Sequence, residues 1–479
     1  MPAAARGRAL PYALAAPFLA LYTALSVLRW ERMETTAFDL GIFTQAVRSY
    51  AELRAPTADL KGPGFPLLGD HFHPILALLA PFYALCPTPV TLLVAQAFLF
   101  ALSIVPLARL GIARLGAWPG SLLAVGYGLS FGVQQAVVFD FHEIAFAVPL
   151  LAFCAEALLT ERWRRACWYA LPLLLVKEDQ AALVVAIGGY LLLRGQRRLG
   201  ALLAGAGVLV GLLTVLVVVP AFNPDGRYPY LGSVGGGGES NPLLRLLAPA
   251  DKWHLVYVLL LATGFLAALS PLALVTAVPL AVRFWTEKPA YWDKAFHYNS
   301  VLMPILFAAA VDGLDRLRRW LAPRLAARPG LAARPRLAAG LPVALAALVA
   351  GHAVLATLTG QPLGKLLRPG YWRVPAETTA AKRFLAERVP DGAVVAADNR
   401  AAPLLVDRCV VRMFPDAVDP RGNPLDPPRP PTAEWIVTLD PPSAFPLLPP
   451  AYRAYEETLP GLGYRRVDER AGVRLYQRG

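Results

Sequence analysis

Residues 199–219 read LGALLAGAGVLVGLLTVLVVV, a stretch without a single charged side chain. Its length is close to the roughly 20 apolar residues that cross a bilayer as a helix. A second apolar stretch runs from Leu337 to Leu358. Over the whole chain, 56% of the residues are hydrophobic and only 16% are charged, whereas a soluble domain carries about a quarter charged residues. The sequence therefore predicts an integral membrane protein.

The net charge of +13 comes from arginine clusters between the apolar stretches. Such clusters mark the cytoplasmic side of a membrane protein, so the charge does not indicate a nucleic-acid partner. The clusters are Arg6–Arg8, Arg109–Arg114, Arg162–Arg165, Arg194–Arg198 and Arg316–Arg336. If all of them are cytoplasmic, the chain crosses the membrane about eleven times, with its N-terminus in the cytoplasm and residues 360–479 outside. We expect it in the inner (plasma) membrane.

The fold prediction is an all-α polytopic bundle over residues 1–358. The expected crossings are 9–28, 88–108, 117–138, 143–160, 166–176, 180–194, 199–221, 252–270, 271–285, 297–314 and 337–358. The first lacks a cleavage site typical of a signal peptide and is predicted to be retained. Residues Pro74–Cys86 are too short for an easy crossing and are predicted to lie along the outer interface.

Residues 360–479 have a different pattern, which predicts a small α/β domain on the outer face. An amphipathic helix is expected at Thr379–Arg388, and a loop rich in proline at Pro415–Pro431. The expected strands are Ala393–Ala397, Cys409–Phe414, Trp435–Leu439, Tyr464–Val467 and Val473–Tyr476. The glycines at 235–238 lack the strand-to-helix context of a phosphate loop and are interpreted as a connector. The 4 cysteines show no CxxC spacing, so no disulfide framework or zinc site is indicated.

The predicted topology collects the acidic and histidine-rich motifs on one side of the membrane. They are FDLG (38–41), GDHFHP (69–74), FDFHE (139–143), KED (177–179), NPDGRYPY (223–230) and AFHYN (295–299). Unpaired ionisable groups at a membrane are costly and usually functional. Because KED joins two short apolar segments, it is expected in a cleft below the outer surface, where Lys177 needs a carboxylate partner.

Four of these stretches carry a resemblance to a known family. They are FDLGIFTQAV (38–47), LLGDHFHPILALLAPFYAL (67–85), FDFHEIAFAVPLL (139–151) and LLVKEDQAALV (174–184). In this order they resemble a family of prokaryotic integral membrane proteins whose function is unknown, over roughly residues 30–410. More distantly, the chain is similar to membrane glycosyltransferases of the C-type fold, such as protein mannosyltransferases and aminoarabinose transferases.

The distant resemblance implies a sugar transferase whose donor is a polyprenyl-phosphate-linked sugar. In those enzymes an acid of the first outer loop acts as catalytic base or metal ligand, and Asp39 matches it by its order along the chain. HFHP resembles the motif that opens their interfacial helix, and Lys177 resembles a lysine between two half-helices. The first loop lacks their paired acids, and FDFHE is not a general feature of theirs. The identity of the donor and any dependence on a divalent metal therefore stay open.

Each candidate residue has a structural alternative. Asp39 is either the base that deprotonates an acceptor hydroxyl or a helix N-cap. Asp70, His71 and His73 form either a phosphate or metal contact or a structural elbow, and phosphate is favoured over metal. Asp140, His142 and Glu143 either cap a helix and form an ion pair, or form a wall of the cleft that contacts substrate.

Two further groups complete the predicted cleft. Lys177, Glu178 and Asp179 favour function, with Lys177 binding a lipid phosphate as a point charge. His297 and Tyr298 either line the cleft or anchor the membrane interface. Arg227, Arg283 and Lys294 are further candidates for phosphate binding. The leading hypothesis is a transferase that moves a sugar from a lipid-phosphate carrier to an acceptor on the outer face. A transporter or flippase and a non-catalytic envelope assembly factor are the alternatives.

Overall fold

A computed structural model describes residues 3–230, 241–286, 288–326 and 335–479. The glycines at 235–238 lie outside the described residues. The first half of the chain is mostly helical. Its α-helices are α1 Ala3–Glu31, α2 Ile42–Ala51, α3 Ala80–Leu85, α4 Pro89–Leu115, α5 Ala117–Gly128, α6 Phe131–Val138, α7 Ala147–Leu159, α8 Trp163–Ala170 and α9 Ala181–Leu193.

The helical region continues to residue 359. Its further helices are α10 Arg197–Leu213, α11 Val219–Phe222, α12 Pro242–Leu247, α13 Asp251–Leu261, α14 Ala277–Trp285, α15 Met303–Ala326 and α16 Pro335–Thr359. Short 3₁₀ turns precede several of them, such as Glu143–Phe146 before α7 and Pro271–Thr276 before α14. Long helices therefore alternate with short helical pieces in this region.

Several helices are long and apolar enough to cross a membrane. Among the described residues they are Ala9–Glu31, Pro89–Leu115, Ala117–Val138, Arg197–Phe222 and Gly340–Thr359. Each coincides with one of the expected crossings. The total of about eleven stays a prediction, because the other expected crossings fall on helices that are too short or not apolar enough, such as α9 and α15. Residues Pro74–Leu85 form a 3₁₀ turn followed by α3, too short for a crossing, in the segment where an interfacial helix is expected.

The apolar stretch 199–219 forms most of α10 and packs against α9. A Cβ atom on Gly188 of α9 would lie 2.6 Å from the backbone nitrogen of Ala204, and one on Gly200 would lie 2.7 Å from the carbonyl oxygen of Gly188. Glycine at both positions allows this close approach of the two backbones, as is common between membrane helices. The KED motif at the start of α9 is thereby held in a fixed position.

The C-terminal region contains helix α17 Ala376–Arg388, helix α18 Pro449–Glu456 and seven strands. The strands are β1 Val394–Ala397, β2 Val410–Met413, β3 Asp416–Val418, β4 Pro424–Arg429, β5 Trp435–Leu439, β6 Tyr464–Arg470 and β7 Val473–Arg478. Five of them form one sheet in the order β2-β1-β5-β7-β6, with β1 parallel to β2 and β5. The five expected strands are confirmed.

The prediction of a loop over Pro415–Pro431 was wrong in part. Strands β3 and β4 pair there as an antiparallel ribbon. Proline lacks the backbone donor that a central strand needs, but it is tolerated at the edge of a sheet. Both strands of a two-stranded ribbon are edge strands, so the proline content did not prevent pairing.

The C-terminal region packs on the loop that follows α1. One hydrophobic cluster contains Ala37, Ile42 and Leu60 from the first part of the chain together with Val395 and Val411 from the sheet. Burial of such side chains contributes roughly 25 cal/mol for each Å² of apolar surface. The sheet therefore fixes the position of the FDLG motif. The division into domains 1–358 and 360–479 stays a prediction.

Candidate functional site

A cavity of about 750 Å³ lies between the loop after α1, the ends of several short helices and the C-terminal region. Nearly every residue predicted for the site lines it. These lining residues are Asp39, Asp70, His71, His73, Asp140, His142, Lys177, Glu178, Asp179, His297 and Tyr298. Glu143 is fully buried behind His142 and is not part of the wall. Motifs scattered over 260 positions of sequence thus meet at one place.

Asp39 has an unusual backbone conformation. It lies in a π-helical turn, Ala37–Gly41, with φ at 150° and ψ at −78°. Helix α2 begins after Gly41, which is its N-cap, and no side chain caps it. The N-cap alternative for Asp39 is therefore not what the structure shows. A residue other than glycine in such a conformation costs on the order of 1–3 kcal/mol, and such strain is concentrated at functional sites.

The carboxylate of Asp39 points into the cavity with few partners. Its Oδ1 atom lies 3.7 Å from Nε2 of His142, and it accepts no hydrogen bond from any described side chain or amide. Burial raises the pKa of Asp39 well above its usual range, and the negative charges of Asp140 and Glu143 raise it further. Asp39 is therefore a carboxylate that gains a proton easily.

Asp140 anchors the loop that carries Asp39. Its carboxylate accepts hydrogen bonds from Arg29 at 3.0 Å and from the backbone and side chain of Thr36 at 2.8 and 2.9 Å. These contacts fit the capping and ion-pair alternative. Asp140 thus connects FDFHE to the segment just before FDLG.

Asp70 is held by a lysine and a tyrosine. Its Oδ2 atom lies 2.6 Å from Nζ of Lys61, and its Oδ1 atom accepts a hydrogen bond from Tyr230 at 2.7 Å. Burial alone would raise the pKa of Asp70, but the Lys61 ammonium, His71 and the Tyr230 hydroxyl outweigh it and hold the pKa at about 2. Asp70 is therefore ionised and paired at neutral pH.

His71 and Glu178 connect GDHFHP to KED. Nδ1 of His71 lies 2.6 Å from Oε1 of Glu178, and the His71 ring stacks on Tyr230. Glu178 also accepts hydrogen bonds from the backbone of Phe72 at 3.0 Å and from Tyr228 at 3.1 Å. The two motifs are therefore locked together by one carboxylate.

His73 lies deeper than His71. It is buried, and its ring meets Phe43 edge to face. Burial lowers the pKa of His73 to about 4, although Glu143 and Asp70 favour its charged form. A neutral, buried imidazole at the start of the 3₁₀ turn fits the structural elbow better than a phosphate contact.

Lys177, Glu143 and His142 form a second line of contacts. Nζ of Lys177 lies 2.9 Å from Oε1 of Glu143, and Oε2 of Glu143 lies 2.7 Å from Nδ1 of His142. The prediction that Lys177 needs a carboxylate partner is confirmed. Because Glu143 is wholly buried, its charge depends on these two neighbours. Asp179, by contrast, accepts a hydrogen bond from Gln180 at 2.8 Å.

His297 stacks on His142 with ring centres 3.7 Å apart. Neither ring nitrogen of His297 has a hydrogen-bond partner among the described residues. The neighbouring Tyr298 offers its carbonyl oxygen to Arg283. Both predicted residues of AFHYN thus lie against the other motifs.

Two cations of the cavity wall have no carboxylate partner. Arg283 and Lys288 both line the cavity, and no carboxylate of the described residues lies within 4.0 Å of either. Arg227 lies outside the wall and pairs with Asp225 at 3.7 Å. Lys294 is exposed and also lies outside the wall.

Several residues of the site were not predicted from the sequence. They are Lys61, Tyr228, Tyr230, Lys288 and Asn399. Tyr228 and Tyr230 belong to NPDGRYPY, which the predicted topology placed beside the other motifs. Lys61 and Asn399 carry no pattern that distinguishes them from ordinary loop residues.

No group of three histidine, cysteine or acidic side chains is arranged to hold a metal ion in the part of the chain that the structure describes. His71 and His73 in particular turn to different partners. The 4 cysteines are free thiols.

These features define a polytopic membrane protein with a polar cavity built from its loop motifs. The chain belongs to the family described as "Predicted membrane protein (DUF2079)", which matches residues 29–456. No curated protein matches it in sequence.

A solved structure shares the fold. ArnT from Cupriavidus metallidurans bound to undecaprenyl phosphate is similar with a TM-score of 0.53 at 14% identity, over 96% of this chain and 98% of that chain. The apo state of the same protein gives a TM-score of 0.48 at 14% identity, with the same coverage. At this identity the likeness concerns the fold. It agrees with the expected C-type architecture.

Proposed function

We propose that the protein is a membrane glycosyltransferase that moves a sugar from a polyprenyl-phosphate donor to an acceptor hydroxyl. One observation carries this proposal: a single cavity contains both the carboxylate of Asp39, whose one close neighbour is His142 at 3.7 Å, and the cations Arg283 and Lys288, which have no carboxylate partner among the described residues. A base and a phosphate site are the two functions that such a transfer needs. The likeness to a structure described as bound to undecaprenyl phosphate supports the donor class.

In the proposed reaction Asp39 acts as general base. It takes the proton of the acceptor hydroxyl while the hydroxyl oxygen forms a bond to C1 of the sugar. The bond between C1 and the phosphate oxygen breaks, and its electron pair leaves with the prenyl phosphate. Because a phosphate is a stable leaving group, one carboxylate is sufficient, and the configuration at C1 is inverted.

Arg283 and Lys288 are proposed to bind the donor phosphate. A guanidinium offers two parallel donors to phosphate oxygens, and an ammonium adds a point charge. Lys177, the residue first expected in this role, is already neutralised by Glu143 at 2.9 Å. The unpaired cations therefore fit the phosphate better than Lys177 does.

The position of α14 explains how a lipid donor reaches the cavity. Val278 and Val282 on this helix are 37% and 47% exposed, and Val282 also lines the cavity next to Arg283. We propose that these valines face the hydrocarbon of the membrane. A prenyl chain can therefore stay in the lipid along α14 while its phosphate meets Arg283.

We propose that the cavity opens on the outer face. Helix α9 begins at Ala181 beside KED and ends at Leu193, directly before the arginine cluster 194–198. With a rise of about 1.5 Å per residue, it separates the two by roughly 20 Å. Positive clusters mark the cytoplasmic side, so the cavity is assigned to the other one.

Turnover of defined donors tests the proposal. The purified protein is supplied with polyprenyl-phosphate sugars, and the released polyprenyl phosphate is measured for wild type, Asp39→Asn and the control Lys294→Ala. We expect release by wild type and Lys294→Ala and its loss in Asp39→Asn. Undiminished release by Asp39→Asn would remove the assigned base. Movement of intact donor lipid between vesicle leaflets, without release, would favour a flippase.

A further inference from the structure

The buried residues His142 and Glu143 take no part in the proposed transfer step itself. Glu143 is 0% exposed and His142 is 7% exposed. Placing a carboxylate entirely inside a protein is expensive unless it is paired, and a structural bundle gains little from it. Because Glu143 lies behind the histidine that contacts the proposed base, we infer that it has a chemical role.

The contacts run in one line from the base to the interior. Asp39 Oδ1 lies 3.7 Å from His142 Nε2, His142 Nδ1 lies 2.7 Å from Glu143 Oε2, and Glu143 Oε1 lies 2.9 Å from Lys177 Nζ. The imidazole thus presents one nitrogen to the base and the other to a buried carboxylate. All three contacts lie within ion-pair distance, although none has the geometry of a hydrogen bond. A carboxylate this close to an imidazole stabilises its protonated form.

We propose that His142 is a proton relay that returns Asp39 to its ionised form after each transfer, and that Glu143 is its positioning residue. This inference rests on the proposed transferase function. Glu143 keeps the ring proton on Nδ1, so that the lone pair of Nε2 faces Asp39. Lys177 keeps Glu143 ionised, because the nearby ammonium favours the carboxylate form.

The relay moves one proton from Asp39 through His142 to water. After transfer, the protonated Asp39 gives its proton to Nε2 of the neutral His142, so that Asp39 becomes a carboxylate and His142 an imidazolium. Because burial raises the pKa of Asp39 and lowers the pKa of His142, this step is uphill and the imidazolium is short-lived. Glu143 stabilises that positive charge. When the product has left, His142 releases the proton to water entering the cavity, and both groups return to their starting states.

His297 limits the relay to one proton. Its ring stacks on His142 at 3.7 Å, and two imidazolium rings at this distance would repel strongly. The charged and titratable groups around His142 are Asp39, Glu143, Lys177, His71 and His297. Of these, Asp39 is the one that faces Nε2 with no hydrogen-bond partner of its own.

Chemical rescue is the direct test. His142→Gly leaves a space of imidazole size, and we expect it to lower kcat by about 10²–10³-fold with little change in KM for the donor. Free imidazole should raise the kcat of His142→Gly at least tenfold and should leave the kcat of Asp39→Asn unchanged. His254→Gln, which changes an exposed histidine of α13, is the control and should keep the wild-type kcat.

A second pair of variants covers the case in which His142→Gly does not fold. His142→Gln should also lower kcat, and Glu143→Gln should lower it by roughly tenfold while KM stays constant, because the ring loses its orientation. A wild-type kcat in either variant, or a folded His142→Gly without rescue, would overturn the relay alone. A wild type that turns over no donor would instead remove the transferase function and the relay with it.

Discussion

The side-chain oxygen of Asn399 accepts a hydrogen bond from the backbone N–H of Ala37 at 3.0 Å. The same oxygen accepts one from Phe38 at 3.2 Å, and the carbonyl oxygen of Asn399 accepts from Ala37 at 2.7 Å. Residues 362 positions apart in sequence are thus joined two residues from the proposed base. The C-terminal region therefore takes part in shaping the site.

Replacing Asn399 tests this connection. In Asn399→Ala the amide of Phe38 loses its acceptor, which costs about 1–3 kcal/mol for a buried donor. We expect a lower free energy of unfolding and a lower kcat, because Asp39 is no longer held in place. Asn399→Asp keeps an acceptor oxygen and should recover most of both quantities. An Asn399→Ala variant with the wild-type kcat would show that the loop holds its shape without this contact.

The backbone conformation of Asp39 predicts that a glycine at this position is more stable than an alanine. At φ 150° a glycine is unstrained and an alanine is strained. Asp39→Gly should therefore be more stable than Asp39→Ala by about 1–3 kcal/mol, although alanine is usually the less disruptive residue. Both variants should be inactive. Thermal unfolding of the two in the same detergent measures the difference, and equal or reversed stabilities would contradict the strained conformation.

The two unpaired cations predict a loss of donor affinity. Removal of a charge-assisted hydrogen bond to phosphate costs about 1.5–3 kcal/mol, or roughly ten- to hundredfold in affinity. We expect Arg283→Ala and Lys288→Ala to raise the KM for the donor by amounts in this range. Arg227→Ala and Lys294→Ala are the matched controls, since neither residue lines the cavity. A similar rise in KM for the controls would indicate a general effect of charge and not a phosphate site.

The pair of Asp70 and Lys61 predicts how stability depends on pH. The pKa of Asp70 is about 2 in the folded protein, below its ordinary value near 4. A lowered pKa means that the pair stabilises the fold above about pH 4 and that this contribution is lost as the pH falls towards 2. Glu178, whose pKa is also about 2 because His71 and Lys177 outweigh its burial, adds to the same loss.

Asp70→Asn isolates that contribution. It leaves the buried Lys61 ammonium without its carboxylate, and breaking such a pair costs about 3–5 kcal/mol at neutral pH. At pH 7 the variant should unfold at a lower temperature than wild type. Between pH 5 and 2 its unfolding temperature should fall less than that of wild type. Asp225→Asn, which breaks an exposed pair with side chains 68% and 66% exposed, should stay within about 0.5 kcal/mol. Equal effects of the two substitutions would contradict the pairing.

Most residues of the site could be predicted from the sequence because they are concentrated in short motifs. The positions of the arginine clusters put the loops of Asp39, His142 and Lys177 on one predicted side of the membrane, since charge decides which loops share a side. The interior contacts could not be found in this way. That Glu143 lies behind His142 depends on a 3₁₀ turn at Glu143–Phe146, and no pattern of residues indicates such a turn.

The unpredicted residues have a common physical reason. Lys61 acts through its ammonium and Asn399 through its two oxygens, at distances and angles set by the packing of the sheet on the first loop. A lone lysine or asparagine in a loop is ordinary, so its sequence context contains no signal. The ribbon of β3 and β4 was missed for another reason: prolines argue against a central strand but not against two edges.

The contact between Asn399 and the loop after α1 has a consequence for the making of the protein. A ribosome adds residues from the N-terminus, so Asp39 is synthesised long before Asn399. Until Asn399 has been added, the amides of Ala37 and Phe38 lack their acceptors, and a partly synthesised chain holds an incomplete site. In the proposed transferase, activity would therefore wait for the last quarter of the chain, and we expect a chain truncated before residue 399 to be inactive.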